Sequence, residues 1–333
     1  MAALAIVFLH ATSMAERFGF KDIAWLNAGW GRWGVDLFFV ISGFIMFSVT
    51  ERNGAGFRCA LSFWLKRFIR IVPPYWVLTT ITILIALAAP GLTEYRWTSA
   101  HAIASYFFIP WLDWRGGAAP PLRVGWSLNF EAYFYLVFGF LLMFNRQRLN
   151  TFVAAWVVGA IGFGLWLHPQ QAIAAMATST LLLEFAAGVY VGSLWSRGLF
   201  LKPPAAAAFV LLGAAALGYA DYTALAVDEV LKFGFPCLLI FVGLISLERS
   251  KSFAFASPVM LKIGDWSYSI YLTHLLSLGL FGRIYRLLHW PSPPPPAILV
   301  LAQMGLVVLI AACTYRWLEQ PMHLWLSRRL HIR

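Results

Sequence analysis

Charge is what this chain has least of. Only 12% of its 333 residues are Asp, Glu, Lys or Arg, against 61% apolar, and mean hydropathy is +0.73. A water-soluble domain of this length could not carry that balance without exposing large apolar patches, so a soluble globular protein is excluded. Cysteine is scarce too: Cys59, Cys237 and Cys313 stand far apart, in or beside apolar segments. An odd, scattered set supplies neither a disulfide framework nor a zinc site and reads as buried thiols. Also missing are a Walker A loop, an HExxH pair, a GxSxG elbow and any cluster of metal ligands, so no metal is expected. No internal repeat of the kind that marks many transporters is found.

Apolar runs separated by short loops fill the chain instead. Allowing about 20 apolar residues per span, and cutting at polar, Pro or Gly clusters, predicts spans near 1–15, 33–50, 71–90, 126–144, 151–167, 172–196, 205–219, 230–247, 266–282 and 297–317. The expected fold is an all-α polytopic membrane protein of about ten transmembrane helices, a single domain over residues 1–333 with no soluble module. The lipid bilayer is its solvent. The 16 Trp and the 17% aromatic share suit two interfacial belts. The long interruption from Gly91 to Gly125 contains WLDWRGGAAPP, whose Trp, Gly and Pro suit an ordered interfacial loop. PSPPPP, from Pro291 to Pro296, reads as a stiff extended connector.

An even number of spans puts both termini on one side. The larger share of the 25 Lys and Arg residues falls in loops on that side, so both ends are expected in the cytoplasm. The net charge of +11 is scattered singly between spans, which is a topology signal and not a nucleic-acid footprint. Neither a nucleic-acid nor a protein partner is evident. The first span is short, since 15 residues reach roughly 22 Å across a hydrocarbon core of roughly 30 Å. It has no basic segment ahead of it and no small-residue cleavage site after it, which argues against a cleaved signal peptide. An upstream extension carrying a basic residue is expected.

Polar residues inside such spans are expensive, so each is a candidate for function. His10 lies on the last third of the first apolar run, where a neutral imidazole is an affordable base. In FWLKRFIRIVPPYW, Lys66, Arg67 and Arg70 stand at the cytoplasmic mouth of the third span. Arg67 and Arg70 are three apart and could clamp one phosphorylated ligand, although orientation signals alone would explain such residues. In VGWSLNFEAYFYLVF, Ser127, Glu131 and Tyr135 follow at intervals of four and share a helix face. Such a carboxylate belongs in a wet interior or in a hydrogen bond to a neighbouring helix. Asp36 is ambiguous in the same way, and Glu184 in LLLEFAAG adds to a polar interior. GDWSYSIYLTH puts Tyr271 and His274 on one side of the ninth span, and RWLEQP closes the last, with Pro321 stopping it after Glu319.

Taken in order, AALAIVFLHA, WGVDLFFVISGFIMF, FWLKRFIRIVPPYW, VGWSLNFEAYFYLVFGF, WSYSIYLTH and WLEQP resemble the membrane-bound acyltransferase family 3, and within it the succinoglycan-type exopolysaccharide O-acetyltransferases. The resemblance runs nearly end to end. It implies roughly ten spans in a bacterial inner membrane, acyl-CoA (commonly acetyl-CoA) as a cytoplasmic co-substrate with no permanently bound cofactor, and transfer to a hydroxyl of a carbohydrate acceptor. The family's essential membrane histidine aligns with His10, and its basic pair aligns with Arg67 and Arg70. Members usually carry a basic residue about eleven positions before that histidine, whereas only nine residues precede His10.

Joined, these readings have Lys66, Arg67 and Arg70 holding the coenzyme phosphates while His10 acts as base or takes the acyl group itself. Glu131 or Asp36 would orient the imidazole, and Ser127, Tyr135, Tyr271 and His274 would contact substrate. The competing class is a transporter or flippase of a lipid-linked glycan or small molecule, in which buried His and Glu serve as proton relays. A sensor without turnover is the third.

Overall fold

The computed structural model describes residues 2–17, 31–89, 97–112, 119–222, 227–250, 257–288 and 294–331. Among these every regular element is helical. In chain order the helices are α1 (Ala2–Arg17), α2 (Gly34–Thr50), α3 (Phe57–Ala88), α4 (Ser99–Tyr106), α5 (Gly125–Leu141), α6 (Leu149–Leu167), α7 (Ala172–Ala177), α8 (Leu182–Ser196), α9 (Pro203–Tyr222), α10 (Phe235–Arg249), α11 (Pro258–Asp265), α12 (Ser267–Leu287), α13 (Pro296–Thr314) and α14 (Gln320–Arg329). Six helical stretches are long and apolar enough to cross a membrane: Phe57–Ala88, Arg146–Leu167, Ala172–Ser196, Pro203–Ala220, Val230–Arg249 and Pro296–Arg329. Ala2–Glu16 and Gly34–Thr50 are apolar but shorter. Large apolar side chains such as Leu84, Val158, Leu211 and Leu301 point outward and are exposed, as a lipid-solvated surface requires. This is the architecture of a multi-pass membrane protein.

Four segments depart from the sequence reading. The third span, expected at 71–90, starts at Phe57 and runs as one helix through Pro73 and Pro74. Neither proline has an N–H, so the Ile69 and Arg70 carbonyls lose their usual intrahelical donors. Inside a bundle such a pair is tolerated because neighbouring elements cover the freed groups, and here both prolines and Tyr75 are buried. The segment 172–196 is divided into α7 and α8 at Thr178–Ser179–Thr180. Thr178 donates to the Ala174 carbonyl at 2.8 Å, and the Ser179 hydroxyl accepts from the Leu181 N–H at 3.3 Å, so the hydroxyls compete with helix continuation. Pro321 does not stop the last span. A π-helical turn at Tyr315–Glu319 leads into α14, whose first turn accommodates a residue lacking an N–H. Finally, the long interruption holds the short helix α4, capped by the Thr98 side chain. Residues 113–118 of WLDWRGGAAPP and 291–293 of PSPPPP lie outside the described residues, while Pro295 is extended as expected.

The chain divides into two compact units: Met1–Ile41 with Arg197–Trp317, and Ser42–Ser196 with Leu318–Arg333. In the first, small residues let backbones approach closely. Ala3, Val7, Ala11 and Ala15 of α1 pack with Ile270 and Leu278 of α12 and with Leu299, Val300, Val307 and Ala311 of α13. Gly213 and Gly243 bring α9 and α10 together in the same way: a Cβ at Gly213 would stand 2.7 Å from the Pro236 carbonyl oxygen. In the second unit, α3 and α5 run antiparallel. The Gly56 N–H donates to the Leu142 carbonyl at one end, and Gly125 abuts Tyr75 at the other.

Candidate active site

Periodicity explains why a histidine occupies the core of the first unit. Ile270, His274 and Leu278 recur at intervals of four and share the α12 face that packs on α1. On α1, His10 falls three residues after Val7, so the two imidazoles meet. Their ring centroids are 5.2 Å apart with 29° between the planes, a stacked arrangement. His274 is fully buried, whereas His10 is only partly so. The His274 Nδ1 lies 2.7 Å from the Tyr271 carbonyl oxygen, which can only accept, so Nδ1 carries the proton. Nε2 of His274 has no hydrogen-bond partner. A charged ring would leave a donor unsatisfied there; the neutral ring presents a lone pair instead.

Tyr271 stands beside this pair, its ring 5.8 Å from that of His274 and edge-on to Phe38 at 5.6 Å. Of the expected residues, the first unit thus brings together His10, Tyr271 and His274. Asp36 is buried in the first turn of α2. Gln303 of α13, on the same helix face as Val300 and Val307, is fully buried with neither end of its amide hydrogen-bonded.

The second unit gathers a different set. The Glu131 carboxylate accepts hydrogen bonds from Ser42 at 2.7 Å and from the Tyr135 hydroxyl, both at Oε1. Arg67 lies over the Tyr135 ring, 5.7 Å from its centroid, and 5.8 Å from that of Phe63. Its position follows from close α3–α5 packing, where Trp64 sits against Gly139 and donates to the Tyr135 carbonyl at 3.0 Å. Arg67 is half-buried, and its Nε is itself buried and has no hydrogen-bond partner. Lys66 and Arg70 are exposed. The two arginines that a three-residue spacing would pair therefore differ in setting. Ser127 is buried, and its hydroxyl donates to the Val124 carbonyl at 3.2 Å.

Ser42, Gln303, Trp126 and Asn129 were not marked by the sequence. A lone serine in VISGF or an amide in an apolar helix resembles many structural polar residues, and only the identity of its neighbours distinguishes it. The signal, a polar side chain within an apolar run, was present for Ser42 and Gln303.

A family model described as an acyltransferase domain matches residues 1–316. The exopolysaccharide production protein ExoZ of Rhizobium meliloti (strain 1021) is 34% identical over 298 residues, covering 88% of this chain and 89% of that protein. Nodulation protein 10 of Rhizobium leguminosarum bv. viciae is 27% identical over 363 residues, covering 96% and 90%. A provisionally named O-acetyltransferase of Staphylococcus aureus (strain COL) is 26% identical over 356 residues; the match takes in 96% of this chain and 55% of that longer protein. No solved structure matches the chain.

Proposed function

This chain belongs to the membrane acyltransferase 3 family, and from that premise we propose that it is an O-acyltransferase that moves an acyl group, acetyl foremost, from cytoplasmic acyl-CoA to a hydroxyl of an exported or cell-surface polysaccharide or glycolipid. It works as a bundle of about ten spans in a bacterial inner membrane, with both termini in the cytoplasm. The observation that carries the reading is the stacked pair of His10 and His274, a partly buried base beside a ring whose tautomer is fixed.

His10 takes the proton from the acceptor hydroxyl as its oxygen attacks the thioester carbon. The tetrahedral intermediate then collapses, the C–S bond breaks, and the coenzyme thiolate recovers that proton from His10. His274 is a positioning residue in this scheme. Its Nδ1–H is spent on Tyr271, so it offers His10 a flat neutral partner. Arg67 binds coenzyme phosphate through the part of its guanidinium that remains exposed, and Lys66 and Arg70 add attraction from the exposed face. Glu131, held by Ser42 and Tyr135, fixes the aromatic surface on which Arg67 rests. Exclusion of water protects the thioester.

The test is transfer in proteoliposomes supplied with acetyl-CoA and a glycan acceptor. Free thiol and acylated glycan should appear together, and both should vanish with His10→Ala. Glycan movement across the membrane without thiol release would identify a transporter or flippase and overturn the reading.

A further inference from the structure

The second unit contains a cavity of about 450 Å³ at the end of α5 where that helix begins. Sites for small molecules span about 300–1,000 Å³, so a sugar residue or two would fit. Trp126, Asn129 and Phe130 from the first turns of α5 form one wall, and Gln170, Met176 and Ser179 around α7 form another. Among the described residues, those that line it are uncharged.

Asn129 is the decisive residue. It is only 2% exposed, it lines the cavity, and its Oδ1 has no hydrogen-bond partner. A buried carbonyl without a donor is costly unless a ligand supplies one. Trp126 keeps 38% of its surface open and is braced edge-on by Phe130 at 6.1 Å. Ser179 accepts from the Leu181 N–H, which leaves its own O–H free to donate into the cavity. An aromatic platform beside an uncharged acceptor and donor fits a pyranose ring, whose C–H face is apolar and whose rim is hydroxyl.

The position along α5 agrees. Arg67 rests on Tyr135, six residues and so about 9 Å further along the axis than Asn129. Anion-binding and uncharged-ligand surfaces are thus separated on one helix, the second lying toward the end opposite the Gly56–Leu142 contact.

We propose that this cavity is a carbohydrate-binding subsite that holds an uncharged sugar ring of the acceptor, with the ring on Trp126 and one hydroxyl donating to Asn129 Oδ1. The proposal rests on the reading of the chain as a glycan O-acyltransferase and names the part that grips the glycan.

Saturation-transfer NMR on the full chain in nanodiscs, with the methyl glycosides of glucose, galactose and mannose as probes and no acyl-CoA present, reads binding without turnover. At least one glycoside should receive saturation at its ring C–H protons, and Trp126→Ala and Asn129→Leu should each lower that signal about fivefold or more. Asn129→Leu should not lower the melting temperature, because it replaces an unsatisfied carbonyl with an apolar group of similar size; lost sugar signal in a protein at least as stable excludes misfolding as the cause. In the transfer assay the same variants should raise acceptor KM about tenfold while acyl-CoA KM stays put. Unchanged glycoside signal in both variants overturns the subsite, as does quenching of Trp126 by brominated acyl chains, which marks a lipid-filled groove. If sugar binding is lost in the variants but the wild type transfers no acyl group, the subsite stands and the enzyme reading fails. If transfer proceeds and acceptor KM is unmoved by either change, the enzyme reading stands and the subsite fails.

Discussion

His10 and His274 face each other as stacked rings 5.2 Å apart, and only one of them is fully buried. The buried ring has its proton tied to the Tyr271 carbonyl. The partly buried ring is the one able to meet a substrate. The proposed roles divide accordingly, with His10 exchanging the proton and His274 holding the site.

His10→Ala is expected to lower acyl transfer by about 100-fold or more, in line with the usual contribution of a positioned base. Amount and membrane insertion of the protein should be unchanged, since α1 packs mainly through Ala3, Val7, Ala11 and Ala15. Glycan acylation at the wild-type rate in this variant would remove His10 from the chemistry.

For His274, Phe is the informative replacement because it retains a ring and gives up both nitrogens. His274→Phe should reduce kcat by about tenfold or more with acyl-CoA KM little changed. Groups that act as a unit lose activity non-additively, so the double variant with His10→Ala should be no worse than His10→Ala alone. Losses that simply multiply would mean the two rings act independently.

Arg67 and Arg70 should separate in a donor titration. Arg67→Ala should raise acyl-CoA KM by about tenfold or more, since a charge-assisted bond from a half-buried guanidinium to phosphate is stronger than one in bulk water. Arg70→Ala should have a smaller effect that fades with salt, because exposed charges are screened over about 10 Å at 0.1 M ionic strength. Arg67→Lys should recover little, as a point charge replaces a planar fork. Equal effects at both positions, equally screened, would reduce the pair to an orientation signal.

The carboxylate of Glu131 has a stability role that can be measured apart from activity. Glu131→Ala leaves the Ser42 and Tyr135 hydroxyls without their acceptor and should cost about 1–3 kcal/mol in thermal unfolding of the solubilised protein. Glu131→Gln keeps an acceptor oxygen and should cost less. Tyr135→Phe should cost about 0.5–1.5 kcal/mol, one ordinary hydrogen bond. An undisturbed melting curve for Glu131→Ala would show that the cluster contributes nothing to the fold.

Close packing offers a last check. A Cβ at Gly139 would overlap the Trp64 indole, which is held by its bond to the Tyr135 carbonyl and has little room to yield. Gly139→Ala should therefore destabilise by about 1–3 kcal/mol, the usual cost of overpacking. It should also displace Arg67 and raise acyl-CoA KM, because Trp64 and Arg67 share one stretch of α3. A variant as stable as the wild type, with donor affinity intact, would separate the packing of these helices from the anion site.

Composition and hydropathy determined the solvent and the secondary structure of this protein, because an apolar chain with few charges has only lipid to face and in lipid every backbone group must be satisfied within a helix. The sequence also marked His10, Arg67, Glu131 and His274, since a polar side chain in an apolar run carries a cost that something must offset. Three things were decided by tertiary structure. A helix period tells which residues share a face but not which helix that face meets, so the stacking of His274 on His10 and the joining of Ser42 to Glu131 could not be read locally. Local breaker rules end helices at proline, yet α3 continues through Pro73 and Pro74 and α14 opens with Pro321 in its first turn, because packing around a bundle helix compensates for a missing donor. Asn129 lines a cavity and its Oδ1 lacks a hydrogen-bond partner, and both facts belong to the packing of several helices and to no single stretch of chain.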